Sequence, residues 1–368
     1  MNVRRSISTT AVAGAAVLGL VSLSACSGAS TGAEKGKDGK LDVVASFYPL
    51  QFLAEQIGGD KVSVTTLTRP GVEPHDLELK PRQIAGLQDA GFILYLKGLQ
   101  PAVDQAVAQA GVKNTVDAAT LTSLEAHGAD EKDTAHEDGA HAGESHEAHD
   151  DHGAHEGEAH EGEAHAEESH AGEAHAGEAH AAESEEPGGH DHAHEGGDPH
   201  VWLDPVKYAE VAKGVGAGLA KADPDNAAAY EKNTDELVKK LGALDTAFRD
   251  GLKNTATRTF ITSHTAFGHL AERYDLDQEG IAGLDPESEP SPARIKELQE
   301  IARKEKVTTV FFETLASDRT ARTLAKDTGL KTDVLDPLEG ITERSKGADY
   351  LEVMRANLAA LQKALGAK

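Results

Sequence analysis

Cysteine is almost absent from this chain of 368 residues, in which Cys26 is the only one. A single cysteine excludes a disulfide within the chain, so the fold depends on its hydrophobic core alone. Long apolar runs are lacking too, because the best candidate, residues 9–23, is too short to cross a bilayer comfortably. Arg4 and Arg5 precede that run, and this order is typical of a signal peptide. We therefore expect export across the cytoplasmic membrane.

The position of Cys26 predicts a lipid anchor. It ends the sequence Leu-Ser-Ala-Cys directly after the apolar run, an arrangement that resembles the bacterial lipoprotein signal. We expect residues 1–25 to be the signal peptide, Cys26 to be lipidated, and residues 26–40 to form a flexible tether. The protein then lies on the extracytoplasmic face of the cell membrane. An unmodified cysteine is the alternative.

Basic residues are scarce: 36 Lys and Arg stand against 63 Asp and Glu, for a formal net charge of −27. Residues 127–199 account for −22 of this charge, so the rest of the chain is close to balanced at −5. The same stretch has almost no large apolar side chains, and we expect it to be a disordered loop inserted in the fold. The acidity therefore describes the insert, and no basic footprint indicates a nucleic-acid partner.

Histidine is abundant where apolar residues are missing. Fifteen of the nineteen histidines lie between His127 and His194. Six of them recur at every fifth position: His155, His160, His165, His170, His175 and His180. Because neutral imidazole is a common ligand for zinc and neighbouring metals, the repeat predicts an accessory metal-binding loop. A solvated acidic linker in which the histidines merely repeat is the alternative.

The rest of the chain alternates strand and helix patterns. Short apolar runs rich in β-branched residues occur at residues 41–46, 62–68, 91–97, 258–263, 307–313 and 332–336. Each of the first three is followed by Pro or Gly and then a helix-like segment, and helix-like segments separate the last three. This alternation is typical of α/β folds with a mainly parallel sheet. We expect two such lobes, an N-terminal one over residues 41–222, with the insert, and a C-terminal one over residues 255–368.

A long helix is predicted between the two lobes, over residues 223–254. Asp223 is a plausible N-cap, and Pro224 suits the first helical position. Asp204 and Pro205 begin a shorter helix before it. The long helix carries apolar residues at spacings of three and four: Leu237, Leu241, Leu244, Phe248 and Leu252. They form one stripe, so the helix can serve as a spine along both lobes.

Four histidines lie outside the low-complexity stretch: His75, His200, His264 and His269. His75 and His264 follow predicted strands, and ligands bind at the carboxyl ends of strands in doubly wound sheets. His269 follows His264 by five residues, and a position on a helix surface is favoured for it.

Carboxylates near these histidines have two possible roles. Asp76, Asp198 and Asp204 can orient an imidazole through its second nitrogen, or they can cap helices. A fourth metal ligand is expected in the sequence VLDPLEG, where Asp336 and Glu339 are candidates. Asp336 can equally be a turn residue and Glu339 a solvated loop residue. Three imidazoles and one carboxylate suit tetrahedral zinc and leave no position for a catalytic water.

Several motifs together resemble a known family. They are GVEPHDLE, DPHVWLDP, TSHTAFGHL, GLDPESEPSP, FFE and VLDPLEG. With the spine helix they resemble the cluster A-I solute-binding lipoproteins of bacterial ABC importers for zinc and manganese, over nearly all of the mature chain. The resemblance implies two α/β lobes joined by a rigid helix, with the metal in the interlobe cleft. It implies as ligands His75, His200, His264 and an acidic residue of the last turn.

The resemblance also favours zinc over manganese. Manganese-binding members have a glutamate in place of His264, and zinc-specific members carry a His- and acid-rich loop before the DPH histidine. The two candidate carboxylates match different zinc-binding members, and Glu339 is favoured over Asp336 as the fourth ligand. Imidazole-rich sites suit zinc, whereas carboxylate-rich sites suit manganese.

The function that follows is metal capture and delivery, without catalysis. We expect the protein to be a lipid-anchored monomer that captures Zn²⁺ and presents it to an ABC permease and its ATPase. Acid is expected to weaken binding, because imidazoles must be deprotonated to bind metal. The alternatives are a surface zinc buffer or adhesin, and a zinc-dependent hydrolase, although an HExxH pair is lacking.

Overall fold

The computed structural model describes residues 36, 38–127 and 197–368. The predicted signal peptide, Cys26 and the six regularly spaced histidines from His155 to His180 lie outside these residues. The chain forms two compact units. Within its described part, unit 1 contains residues up to 121, residues 206–243 and residues 339–341; unit 2 contains residues 122–127, 197–205, 244–338 and 342–368.

Unit 1 contains a four-stranded parallel sheet. The strands are β1 (Leu41–Ala45), β2 (Val62–Thr66), β3 (Phe92–Tyr95) and β4 (Thr115–Asp117), in the spatial order β2-β1-β3-β4. The helices between them are α1 (Tyr48–Gly58), α2 (Pro81–Gln88) and α3 (Pro101–Ala110). Proline lies in the first turn of each helix. The N–H groups of that turn have no partner within the helix, so proline costs no hydrogen bond there. All strand pairs are parallel, as the βαβ pattern predicts.

Two helices follow the insert, α4 (Pro205–Ala222) and α5 (Ala227–Leu252). Within unit 1 they pack closely at Gly216, since a Cβ added there would lie 2.2 Å from the hydroxyl oxygen of Thr234. The predicted apolar stripe of α5 is buried along its whole length, with no member more than 2% exposed.

The start of α5 differs from the prediction. A 3₁₀ turn, Pro224–Asn226, precedes the helix, and the Asp223 side chain does not cap it. Asp223 Oδ2 instead accepts hydrogen bonds from the Tyr230 hydroxyl, at 2.9 Å, and from Asn226 Nδ2, at 2.7 Å. Asp223 thus stands at the predicted N-cap position, with Pro224 first in the turn, but its carboxylate accepts from side chains and makes no capping bond to the backbone.

Unit 2 repeats the sheet order of unit 1. Its strands are β5 (Thr259–Thr262), β6 (Asp277–Gly280), β7 (Thr309–Phe312) and β8 (Lys331–Val334), in the order β6-β5-β7-β8, all parallel. Its helices are α6 (Gly268–Arg273), α7 (Pro292–Lys304), α8 (Arg319–Thr328) and α9 (Tyr350–Leu365). Ile261, Val310, Leu298 and Leu324 lie in a core between this sheet and α7 and α8.

The strand order shared by the two sheets indicates where ligands are expected to bind. In both sheets the chain passes from the first strand to one side and later continues on the other side, so the carboxyl ends of β1 and β3, and of β5 and β7, flank a switch point. Ligands of open parallel sheets bind at such points. In the described part of the chain, no helix combines the length and the apolar character that a membrane crossing requires.

Candidate metal centre

His75 lies on the loop that follows β2, and a buried glutamine holds this loop. Gln100 precedes α3, and its Nε2 donates to Thr68 Oγ1, at 3.0 Å, and to the carbonyl oxygen of Pro74, at 3.2 Å. Thr68 Oγ1 in turn donates to the carbonyl oxygen of Ser46 at 2.9 Å. Because Ser46 directly follows β1, these bonds fix the residue before His75 to the carboxyl edge of the sheet.

His75 contacts a buried carboxylate within unit 1. Its Nε2 lies 3.2 Å from Glu339 Oε1, and Glu339 is fully buried. Burying a carboxylate is costly unless a cation or hydrogen-bond donors compensate it. Two ligands bonded to tetrahedral zinc at roughly 2.0–2.1 Å are about 3.3 Å apart. The observed N···O separation therefore suits two ligands of one zinc ion as well as it suits a hydrogen bond.

His200 belongs to unit 2, and Asp198 orients it. Asp198 Oδ1 accepts from the backbone N–H of His200 at 2.9 Å and lies 2.7 Å from its Nδ1. Burial disfavours the charged form of Asp198, yet His200 and a hydrogen bond from His127 hold the pKa of this carboxyl well below its usual range. With a proton on Nδ1, the neutral imidazole of His200 has its lone pair on Nε2, the nitrogen that can bind a metal.

His264 is held in the same way from the neighbouring strand. It follows β5, and its Nδ1 lies 2.5 Å from Oε1 of Glu313, which directly follows β7. Thr262 Oγ1 and Gln278 Nε2 donate to the His264 carbonyl oxygen at 2.7 and 3.1 Å, which fixes the backbone. The adjacent carboxyl ends of two parallel strands thus bring a histidine and its orienting carboxylate together.

The imidazoles of His200 and His264 lie side by side in unit 2, with ring centroids 5.4 Å apart. Two imidazoles bound through nitrogen to one tetrahedral zinc have centroids about 5 Å apart. Both rings are essentially buried. The pair is therefore arranged as two nitrogen ligands of one ion require.

Asp336 stabilises the turn that precedes Glu339. Asp336 Oδ1 accepts from the backbone N–H of Leu338 at 2.9 Å, and its Oδ2 accepts from Thr314 Oγ1 at 3.3 Å. The Asn357 side chain bonds both the backbone N–H and the carbonyl of Asp336. Leu338 adopts a left-handed conformation, with φ of 61°, and directs the chain into Glu339. Of the two candidate ligands, Glu339 contacts a predicted histidine ligand and Asp336 stabilises the turn.

The other two candidate orienting carboxylates have different surroundings. Asp76 is exposed, and Asp204 Oδ1 lies 3.2 Å from Nε of Arg273. The prediction of a surface position for His269 is wrong, since this residue is 1% exposed. His269 lies on α6, as predicted, but Nε2 donates to the Asp198 carbonyl oxygen at 2.9 Å, which draws the ring inward.

Sequence reasoning gave no role to Gln100 or Glu313. Gln100 had no recognisable pattern, because its partners lie 26 and 32 residues away. Glu313 had a visible signal, a charged residue at the end of an apolar strand. That position predicts a functional carboxylate at the ligand-binding edge of the sheet.

Comparisons with known proteins identify the family. The family model described as "ZnuA: Zinc-uptake complex component A periplasmic" matches residues 43–364. The high-affinity zinc uptake system protein ZnuA of Bacillus subtilis (strain 168) is 37% identical over 350 residues, covering 93% of each chain.

Two streptococcal comparisons agree. The zinc-binding lipoprotein AdcA of Streptococcus pneumoniae is 34% identical over 336 residues, which cover 89% of this chain and 56% of AdcA. The chain therefore spans about half the length of this curated relative. The crystal structure of the Zn(II)-bound ZnuA-like domain of the same AdcA has a TM-score of 0.62 and 31% identity, covering 89% of this chain and 99% of that domain. The chain carries two parallel α/β sheets, with buried histidine–carboxylate pairs at their carboxyl edges. It belongs to the ZnuA family of zinc-uptake proteins.

Proposed function

We propose that the protein captures Zn²⁺ outside the cytoplasmic membrane and delivers it to the permease of an ABC importer, whose ATPase drives import. The observation that carries the proposal is the fixation of two buried imidazoles through Nδ1, His200 by Asp198 and His264 by Glu313. This arrangement leaves Nε2 as the metal-binding nitrogen in both rings. The relatives that are named for zinc uptake and zinc binding support the same cargo.

The proposed ligands of one zinc ion are His75, His200, His264 and Glu339. Three neutral imidazoles and one carboxylate complete a tetrahedral sphere, so no coordination position is left for a catalytic water. Binding and release, without hydrolysis, are the chemistry that such a set performs. Its nitrogen-rich composition favours zinc over manganese. Asp336 is assigned to the turn and not to the metal, because hydrogen bonds from Leu338 and Thr314 engage its two oxygens.

The remaining parts of the proposal concern anchoring and organisation. Cys26 carries the lipid anchor that keeps the protein at the outer face of the cell membrane, and residues 26–40 are its tether. Unit 1 is assigned as the N-terminal lobe and unit 2 as the C-terminal lobe, and α5 contributes residues to both. The protein acts as a monomer.

Competition with a zinc chelator tests the ligand set. The chain without residues 1–26 is titrated beside variants with His75, His200 or His264 replaced by alanine, and beside Glu339→Gln and Asp336→Asn. Each histidine variant and Glu339→Gln is expected to lose the high-affinity phase, whereas Asp336→Asn retains it. Asp76→Ala is the matched control, because Asp76 is exposed and adjacent to His75. Unchanged affinity in the three histidine variants contradicts the assignment.

A further inference from the structure

We propose a second divalent-cation site within unit 2, formed by His127, His269 and Glu272 and suited to Zn²⁺ or a similar transition-metal ion. One ligand atom from each of these residues lies within 4.8 Å of the other two. None of the three belongs to the ligand set proposed above. The site therefore stands or fails on its own contacts.

Two of the proposed ligand atoms, on His127 and Glu272, are separated by the distance expected for two ligands of one zinc ion. His127 Nε2 lies 3.3 Å from Glu272 Oε2. Ligands bonded to tetrahedral zinc at roughly 2.0–2.1 Å are separated by about the same distance, 3.3 Å. The His127 and His269 rings lie edge to face, with centroids 4.6 Å apart, so both reach one small volume.

A single buried aspartate orients both histidines. Asp198 Oδ2 lies 3.0 Å from His127 Nδ1, which leaves Nε2 of that ring as the metal-binding nitrogen. The backbone carbonyl oxygen of Asp198 accepts from His269 Nε2 at 2.9 Å, so the lone pair of the neutral His269 ring is on Nδ1. Glu125 Oε2 lies 3.3 Å from that Nδ1 and supplies the fourth ligand, an oxygen. Orienting partners of this kind accompany most metal-bound histidines.

The local sequence is arranged so that these groups can meet. His269 and Glu272 are three residues apart on α6, and residues at that spacing share a helix face. Gly268 precedes them, and a Cβ added there would lie 2.5 Å from Cβ and Cγ of His127 and 2.8 Å from Asp198 Oδ2. Only glycine at this position lets the His127 side chain pack directly against the start of α6.

Solvent reaches the site from one side. It opens to a cavity of about 420 Å³ that Glu125, His127, Gly268 and Glu272 line in part. The Glu272 side chain is 59% exposed and that of His127 is 19% exposed. Three carboxylates surround two imidazoles, so the local charge attracts a divalent cation. His127 is also the first of the fifteen histidines between His127 and His194, so the site includes the residue at which this stretch of the sequence begins.

Asp198 connects this site to the ligand set proposed above. Its Oδ1 bonds the His200 ring and its Oδ2 bonds the His127 ring. An ion at His127 is thus one carboxylate away from a ligand of the transported ion. The second site is suited to hold a weakly bound ion beside the tight one. Its affinity is expected to be lower, because an exposed glutamate side chain must be ordered on binding.

Anomalous diffraction at the zinc edge from crystals of the full chain with excess Zn²⁺ tests the site. We expect a peak bonded to His127 Nε2, His269 Nδ1 and Glu272, and this peak is absent from Glu272→Gln and from His269→Asn crystals. A separate peak at His200 and His264 reports the proposed transport site independently. An ordinary ion pair, in which a protonated His127 bridges Asp198 and Glu272, explains the same contacts without metal. If His200 and His264 bind zinc and no density lies at His127, the ion pair is correct and the proposal is overturned.

A solution measurement guards against binding that occurs only in crystals. Carbethoxylation of His127 by diethyl pyrocarbonate is followed by peptide mass spectrometry as Zn²⁺ is added to the full chain. Zinc is expected to protect His127, and Glu272→Gln is expected to raise the protecting concentration by at least about tenfold. Glu300→Gln is the matched control, since Glu300 is an exposed glutamate on α7. Equal protection in the wild type and Glu272→Gln contradicts the site.

Discussion

The bond between Glu313 and His264 gives the sharpest prediction about zinc affinity. Glu313 lies 2.5 Å from His264 Nδ1, and both side chains are almost completely buried. Glu313→Gln keeps the size and the oxygen acceptor but removes the negative charge that makes the imidazole a better donor to metal. Removal of such an orienting partner weakens metal binding by about 10–100-fold, which corresponds to about 1.4–2.7 kcal/mol. We expect Glu313→Gln to lower the zinc affinity by a factor within this range.

Chelator competition on a double-mutant cycle measures this effect and separates it from general damage. Glu313→Gln is compared with the wild type and, in parallel, His264→Ala is compared with the double variant. If Glu313 acts through His264, the substitution has little further effect once the imidazole is absent. Glu300→Gln serves as a control that removes one exposed carboxylate from the same unit. An equal loss of affinity in both backgrounds refutes the reasoning, and so does an unchanged affinity in Glu313→Gln alone.

Two further predictions concern stability. Gly216→Ala is expected to lower the free energy of unfolding in urea by about 1–3 kcal/mol, since the added Cβ would overlap the Thr234 hydroxyl on α5. Gly242→Ala is expected to raise it by about 0.5–1 kcal/mol, since no atom lies within 4 Å of the Cβ added there. Equal effects of the two substitutions contradict this packing. Burial disfavours the charge of Asp333, but hydrogen bonds from Lys346 and Lys363 lower its pKa from 3.8 to about 2. A folded-state pKa below the unfolded one stabilises the fold above about pH 4, so the stability difference between the wild type and Asp333→Asn should shrink as the pH falls from 4 to 2. A difference that stays constant over this interval shows that the ion pairs contribute nothing.

Local sequence patterns predict most of the strands and the buried face of the long helix. Apolar runs such as that of β1 are buried on both faces of a parallel sheet, and this burial produces the continuous pattern that predicts a strand. The apolar stripe of α5 predicts its buried face for the same reason. The polar β6 and the three-residue β4 carry no such signal, because neighbouring strands and not their own side chains stabilise them.

The candidate site was predictable to the extent that its residues follow strands or lie in turns. His75 and His264 were found in this way. The resemblance favoured Glu339 over Asp336, but the local sequence does not predict the contacts of Asp336 in the turn, because Asn357, twenty-one residues further on, holds its backbone. The burial of His269 was equally hidden, since its partner is a carbonyl 71 residues earlier in the chain. Long-range hydrogen bonds of this kind leave no periodic trace in a sequence.

Growth of a deletion strain under zinc limitation tests the central claim most directly, namely that the proposed ligands such as His264, and not the histidine repeat, perform the transport function. The strain is complemented with the wild-type chain, with a chain that lacks residues 128–194, or with His264→Ala. Zinc-limited growth and zinc uptake are expected to be restored by the first two chains and not by His264→Ala. Restoration by His264→Ala, together with failure of the chain that lacks residues 128–194, places the function in the histidine repeat and contradicts the account.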